Sequence, residues 1–204
     1  MKKTEFTLYA YNFRSRAERV LWLLEELQLD YQVIRLNPFS EGVKNPEILK
    51  INPQGKMPTL LHKDKVLTDS LAIMEYLVSI GNNPTLIPSN PDDNYRFRNF
   101  IYYTLTEVEA YLWVADQAIR LNAIYSWPEG TQTEAVSRVQ KSIPHLYSFI
   151  SDADFSMGDN FTLADIYAQS IFSWSMSLGL KHPSHVMDYL KRIESRPAYP
   201  KSII

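Results

Sequence analysis

Residues 51–77, "INPQGKMPTLLHKDKVLTDSLAIMEYL", decide how this chain is read. Pro58 stands directly before an apolar, strand-like run, although proline cannot donate to a sheet ladder and is normally kept out of strands. "TLLH" and "KVLT" flank "KDK" and read as a hairpin. Asp69-Ser70 then opens a helix, "SLAIMEYLVSI", closed by Gly81. A proline-blocked strand entrance and a fresh helix N-terminus therefore lie close together in the chain.

Upstream, "FTLYAY" (6–11) is aromatic and β-branched enough for a strand. "SRAERVLWLLEELQL" (15–29) places Ala17, Val20, Leu21, Leu24 and Leu27 at helical steps. "YQVIRL" (31–36) is a second strand, and "NPEILKI" (45–51) a short helix with Pro46 near its start. The order is βαβαββα, a mixed sheet with helices packed on it. Residues 82–93, "NNPTLIPSNPDD", carry the Pro, Asn and Asp density of a linker. Beyond them come only helical patterns: "NYRFRNFIYYTLTEVEAYLWVADQAIRLN", "TEAVSRVQKSIPHLYSFI" with Pro144 set to kink it, "TLADIYAQSIFSWSMSL" and "HVMDYLKRIES". The expected organisation is an α/β domain over 1–81, a linker over 82–93 and an all-α domain over 94–204.

Composition narrows the function. The 204 residues are 45% hydrophobic and 22% charged with a formal net charge of -2, an ordinary globular balance. No basic block favours nucleic acid as a partner. The N-terminus has two lysines but no sustained apolar run, so no signal peptide is expected. The least charged stretch, "LADIYAQSIFSWSMSLGL", reads as a buried helix rather than a membrane span. The chain contains no cysteine, so any sulfur chemistry must use a sulfur carried in by a ligand. His62, His145, His182 and His185 are scattered and make no metal-ligand pattern; surface or capping roles are expected for them, and no metal.

A proline before the third strand of this element order suggests a thioredoxin-like domain, in which that peptide bond is cis and the Met57 backbone is turned away from the sheet. An extended peptide could then pair with it. An ordinary turn proline is the competing reading on spacing alone. Asp69 and Ser70 likewise fit simple helix capping, and Lys56 a solvated surface charge.

"NPQGKMPTL" followed by "TDSLAIMEYL" resembles the glutathione-binding half of the cytosolic glutathione transferases, with Asp69 where glutamate is commoner. "SRAERVLWLLEELQLDY" is similar to the first helix of a serine-type bacterial and fungal subgroup, and the helical second half matches the family layout. The resemblance implies glutathione as co-substrate, a hydrophobic electrophilic small molecule as its partner, a homodimer and a cytoplasmic location. It implies that Asp69 takes the ligand ammonium, and that Ser70 and its helix N-terminus take the γ-glutamyl carboxylate. Met57 beside Pro58 would pair with the cysteinyl backbone, and Lys56 would reach the glycine carboxylate or a nearby backbone group.

The group that activates the thiol is less sharply marked. Ser15 matches the serine of the resembling subgroup and is the candidate catalytic residue. Yet "SRAE" is also a capping box with Ser15 at N-cap and Glu18 at N3, and a serine engaged in a cap is less free to serve a thiolate. Tyr9, Tyr11, Asn12 and Arg14 are the alternatives. "FTLADI" (161–166) repeats the capping pattern through Thr162 and Asp165 and reads as folding-related. Two further functions share these residues: a protein-interaction module that keeps the fold without catalysis, and a glutathione-dependent isomerase or dehalogenase.

Overall fold

The computed structural model describes residues 4–13, 15–37, 46–121, 126–150 and 153–199. The chain divides into two compact units. One runs to Pro84 and takes in the segment from Arg196; the other is Thr85–Ser195.

The first unit has the expected order: β1 (Phe6–Tyr11), α1 (Ala17–Glu26), β2 (Tyr31–Leu36), α2 (Pro46–Ile51), β3 (Thr59–His62), β4 (Lys65–Thr68) and α3 (Ser70–Ile80). The strands lie side by side as β2-β1-β3-β4. β1 pairs parallel with β2 and antiparallel with β3, and β3 pairs antiparallel with β4. This is the thioredoxin-like mixed sheet. Phe6, Leu8 and Ala10 alternate into the core along β1, as period-two side-chain geometry requires of a central strand. Val20, Leu23 and Leu24 of α1 and Ile73, Met74 and Leu77 of α3 are buried. Gly81 ends α3 with φ -85°, not in the left-handed region. Its glycine answers crowding instead: a Cβ there would stand 2.9 Å from the Leu77 carbonyl oxygen and 3.0 Å from Leu27 Cδ2. His62 departs from the surface role expected of it. It is buried, stacks on Phe6, and its ring nitrogens meet Tyr76 Oη at 2.8 Å and Glu5 Oε1 at 2.9 Å.

The second unit is helical: α4 (Pro91–Tyr103), a π-helical segment (Thr104–Glu109), α5 (Ala110–Arg120), α6 (Thr131–Ser142), a 3-10 segment (Ile143–Phe149), α7 (Leu163–Ser177) and α8 (Ser184–Glu194). α4 begins inside the stretch expected to be linker. Asn90 is its N-cap, accepting from the Asp92 and Asp93 amides, and Pro91 follows at the first helical position. Pro, Asn and Asp mark turns and helix starts alike, which is why composition alone misplaced this boundary. Pro144 acts more strongly than a kink, because α6 stops at Ser142 and the chain tightens into the 3-10 segment. The capping box at α7 forms as expected: the Thr162 hydroxyl accepts from the Ala164 amide, and Asp165 Oδ2 accepts from the Thr162 amide at 2.8 Å. Asp165 does more than cap. It is fully buried, and its Oδ1 also accepts from the Ser156 amide and the Tyr189 hydroxyl, both at 2.7 Å. Burial pushes its carboxyl above the ordinary range, against the hydrogen bonds that favour the anion.

Among the described residues no helix is long and apolar enough to cross a membrane, and no group of three or more His, Asp or Glu is placed to hold a metal ion.

Candidate functional site

Strand register alone gathers the sequence-marked residues at one end of the sheet. Tyr9 is opposite Thr59, and Thr59 is opposite Thr68. The exit of β1 towards Ser15, the entry of β3 at Met57-Pro58 and the exit of β4 at Asp69-Ser70 therefore share that end, and α1 and α3 start from it.

The Met57-Pro58 peptide bond is cis. The Met57 side chain is buried with Leu36 and Ile48, and Tyr9 and Tyr11 pack against this cluster. The preceding turn hangs on Asn52, which is 3% exposed. Its Oδ1 accepts from the Gln54 amide at 3.1 Å; its Nδ2 donates to the Lys56 carbonyl at 2.9 Å and to Thr59 Oγ1 at 3.1 Å. Gly55 turns the chain with φ 63°, a left-handed geometry that glycine adopts without steric cost. The Lys56 side chain is exposed.

At the head of α3, Asp69 has φ 68° and ψ 122°, a backbone geometry rare for a non-glycine residue and typical of functional positions. Its side chain is exposed, and Oδ1 accepts from the Leu71 and Ala72 amides at 3.0 and 3.2 Å. Two of the first three amides of α3 are thus engaged by the Asp69 carboxylate, and among the described residues that of Ser70 has no hydrogen-bond partner. The Ser70 side chain is buried and its hydroxyl accepts from Arg19 Nη1 at 3.4 Å. A buried guanidinium on α1 therefore backs the N-terminus of α3.

Ser15 differs from its capping-box expectation. α1 starts one residue later, with Arg16 at N-cap. The Ser15 hydroxyl accepts from the Ala17 amide at 3.3 Å, and its carbonyl accepts from the Glu18 amide at 3.2 Å. Glu18 turns instead to Arg35, 3.6 Å away. An accepting hydroxyl keeps its own proton for donation, so cap and thiolate donor are compatible roles. Tyr11 stacks on Phe13 with ring centroids 5.3 Å apart. The Asn12 amide donates to the Leu36 carbonyl. Arg14 lies outside the described residues.

Sequence reasoning missed Asn52 and Arg19 as members of this site. For Asn52 a signal exists, since an Asn-Pro-x-Gly stretch favours an asparagine bonded to its own backbone two residues on. For Arg19 there is none, because its partner Ser70 is 51 residues away.

Comparison with known proteins follows the same outline. Residues 5–79 match the model for the glutathione S-transferase N-terminal domain, and residues 115–197 that for the C-terminal domain. The glutathione S-transferase GstA of Escherichia coli O157:H7 is 25% identical over 179 residues, which cover 85% of this chain and 86% of that protein. A stringent starvation protein A homolog of Haemophilus ducreyi is 24% identical over 99% of this chain and 91% of its own length. The theta class glutathione S-transferase of Xanthomonas axonopodis pv. citri, solved with glutathione bound, superposes with a TM-score of 0.81 at 20% identity, over 99% of this chain and 98% of that one. A thioredoxin-like sheet, a helical second unit and both domain models together make this chain a member of the glutathione S-transferase family.

Proposed function

We propose that this chain is a glutathione transferase that joins the thiolate of bound glutathione to an electrophilic carbon of a hydrophobic small molecule. One observation carries the reading: a carboxylate, a helix N-terminal amide with a hydroxyl, a strand-entry backbone and a second hydroxyl meet at one sheet end. These match the ends of a zwitterionic tripeptide. The ligand ammonium pairs with Asp69, and its γ-glutamyl carboxylate takes the Ser70 amide and hydroxyl. The cysteinyl main chain runs along Met57 beside Pro58, and the glycine carboxylate reaches Lys56. This presents the thiol to Ser15.

A free thiol has a pKa of about 8.5 and is mostly protonated at neutral pH. Lowering it by two units takes roughly 2.7 kcal/mol of preferential thiolate stabilisation. A hydroxyl hydrogen bond to the anion supplies on the order of 1.5–3 kcal/mol, and the N-terminus of α1 about 0.3–1 kcal/mol more. The thiolate then attacks the electrophile, a carbon–sulfur bond forms, and the leaving group departs with the bonding electrons. A homodimer and a cytoplasmic location belong to the same reading. The exposed Tyr95 and Tyr102 of α4 and Leu105 of the following π-helical segment support the former.

A relative named a stringent starvation protein A homolog, and not a transferase, supports a second reading, a partner-binding protein that keeps the fold without transferase activity. Isothermal titration with glutathione separates the two. Millimolar or tighter binding, with turnover of a chlorodinitrobenzene-type electrophile, is expected of the transferase. Ser15→Ala should lower kcat/KM by about tenfold to a hundredfold near neutral pH and move the rise of its pH profile towards about 8.5. No binding by the wild type rejects the transferase reading; an unchanged pH profile removes Ser15 from the mechanism.

A further inference from the structure

The turn before Pro58 contains a closed ring of three hydrogen bonds. Asn52 Nδ2 donates to the Lys56 carbonyl and to Thr59 Oγ1, and Thr59 Oγ1 donates to the same carbonyl at 3.0 Å. Asn52 and Thr59 are 3% and 1% exposed, so the ring lies inside the protein and the Lys56 carbonyl is drawn inwards. That carbonyl and the Met57 amide belong to one peptide unit. The unit is trans, since the cis bond is the next one along. In a planar trans peptide the N–H points opposite to the C=O. Two inward bonds on the carbonyl therefore hold the Met57 N–H facing away from the ring. Among the described residues that amide has no hydrogen-bond partner.

We propose that Asn52 and Thr59 are positioning residues that aim the Met57 amide at a main-chain carbonyl of the bound thiol peptide. The inference rests on the transferase reading and names what sets the register of the peptide on the strand entrance. Preorganisation is the physical gain. A turn free to rotate its 56–57 peptide plane would bind only from the fraction of molecules with the amide outward, and affinity would fall by that fraction.

The test uses the full chain with Thr59→Val, which is nearly isosteric and lacks the hydroxyl, and Thr59→Ser, which restores it. Glutathione binding is measured by isothermal titration, steady-state KM and kcat beside it, and folding by circular dichroism. Thr59→Val is expected to raise the Kd and KM for glutathione about fivefold to tenfold, with kcat within about twofold, because the lost bond orients the peptide and not the thiol. Thr59→Ser is expected to return Kd to within about twofold of wild type, a rescue that mere loss of packing would not show. Wild-type binding with an unaltered Thr59→Val Kd, or with Thr59→Ser as weak as Thr59→Val, overturns this inference alone. Absence of wild-type binding overturns the transferase reading and this inference together. If Thr59→Val fails to fold, Asn52→Ala titrated in the same way decides, with a wild-type Kd counting against the inference.

Discussion

Asp69 carries two demands on one carboxylate. Oδ1 caps α3 through the Leu71 and Ala72 amides, and the proposed ligand ammonium needs the negative charge. Asparagine caps a helix as well as aspartate does but has no charge. Asp69→Asn should therefore leave the melting temperature within about 2 °C of wild type while weakening glutathione binding about tenfold or more, read by thermal denaturation and titration of the same preparation. Equal affinity would move the ammonium elsewhere. The double demand also gives a reason for the shorter side chain, because aspartate is a preferred N-cap residue. At this scale the sequence was legible wherever a residue's chemistry is its own. Pro58, Asp69, Ser70 and Ser15 stand out as candidates through the likeness of their motifs to the family. Asn52 and Arg19 did not, since an asparagine and an arginine become members of a site only through burial and a partner.

The elements are set by short-range signals and tied together by long-range contacts of buried carboxylates. The Thr162–Asp165 capping box at α7 is readable from adjacent residues. What could not be read is that Asp165 also holds the Ser156 amide and the Tyr189 hydroxyl of α8. Asp165→Ala strands these donors in the interior and removes the box, and should destabilise the chain by on the order of 3 kcal/mol or more, measured as the fall in urea midpoint at constant slope. A loss below about 1 kcal/mol would mean water replaces the carboxylate. The π-helical segment was equally hidden. "TLTEVE" has an ordinary helical composition, and its widened turn places Glu109, which is buried and accepts from the Tyr167 hydroxyl. Single inserted residues shift helix register without changing the apolar pattern enough to show.

At the scale of the whole molecule, the chain's last described stretch groups with the first unit rather than with the helical unit it follows in sequence. Arg196 forks onto Glu26 of α1, with Nε and Nη2 donating at 2.7 and 2.8 Å, and Tyr199 meets the Trp22 ring edge-on. Glu26 also accepts from Trp22 Nε1, so its nearly buried carboxylate is fully engaged. Assembly is the other property of this scale. A homodimer in solution is expected, with Tyr102→Glu shifting it to monomer in sedimentation velocity at micromolar concentration, because a charge replaces an exposed aromatic on α4. A wild-type monomer under those conditions would remove the dimer from the reading.

By itself the sequence determined the element order and the thioredoxin-like reading of the first half, and it marked the candidate residues of the site. The element order rests on periodicity, turn chemistry and capping among neighbouring residues, whereas the candidate residues were marked by the likeness of their motifs to the family. Tertiary structure alone decided what those residues face. It set the strand register that brings Ser15, Met57 and Asp69 to one end of the sheet, and the Asn52–Thr59 ring that turns a peptide plane. It also set Arg19 behind Ser70, and the pairing of Arg196 with Glu26 across 170 residues. The physical reason is range. Backbone preference acts between neighbours along the chain, whereas the direction of an amide, a hydroxyl or a buried charge is set by partners that only folding supplies.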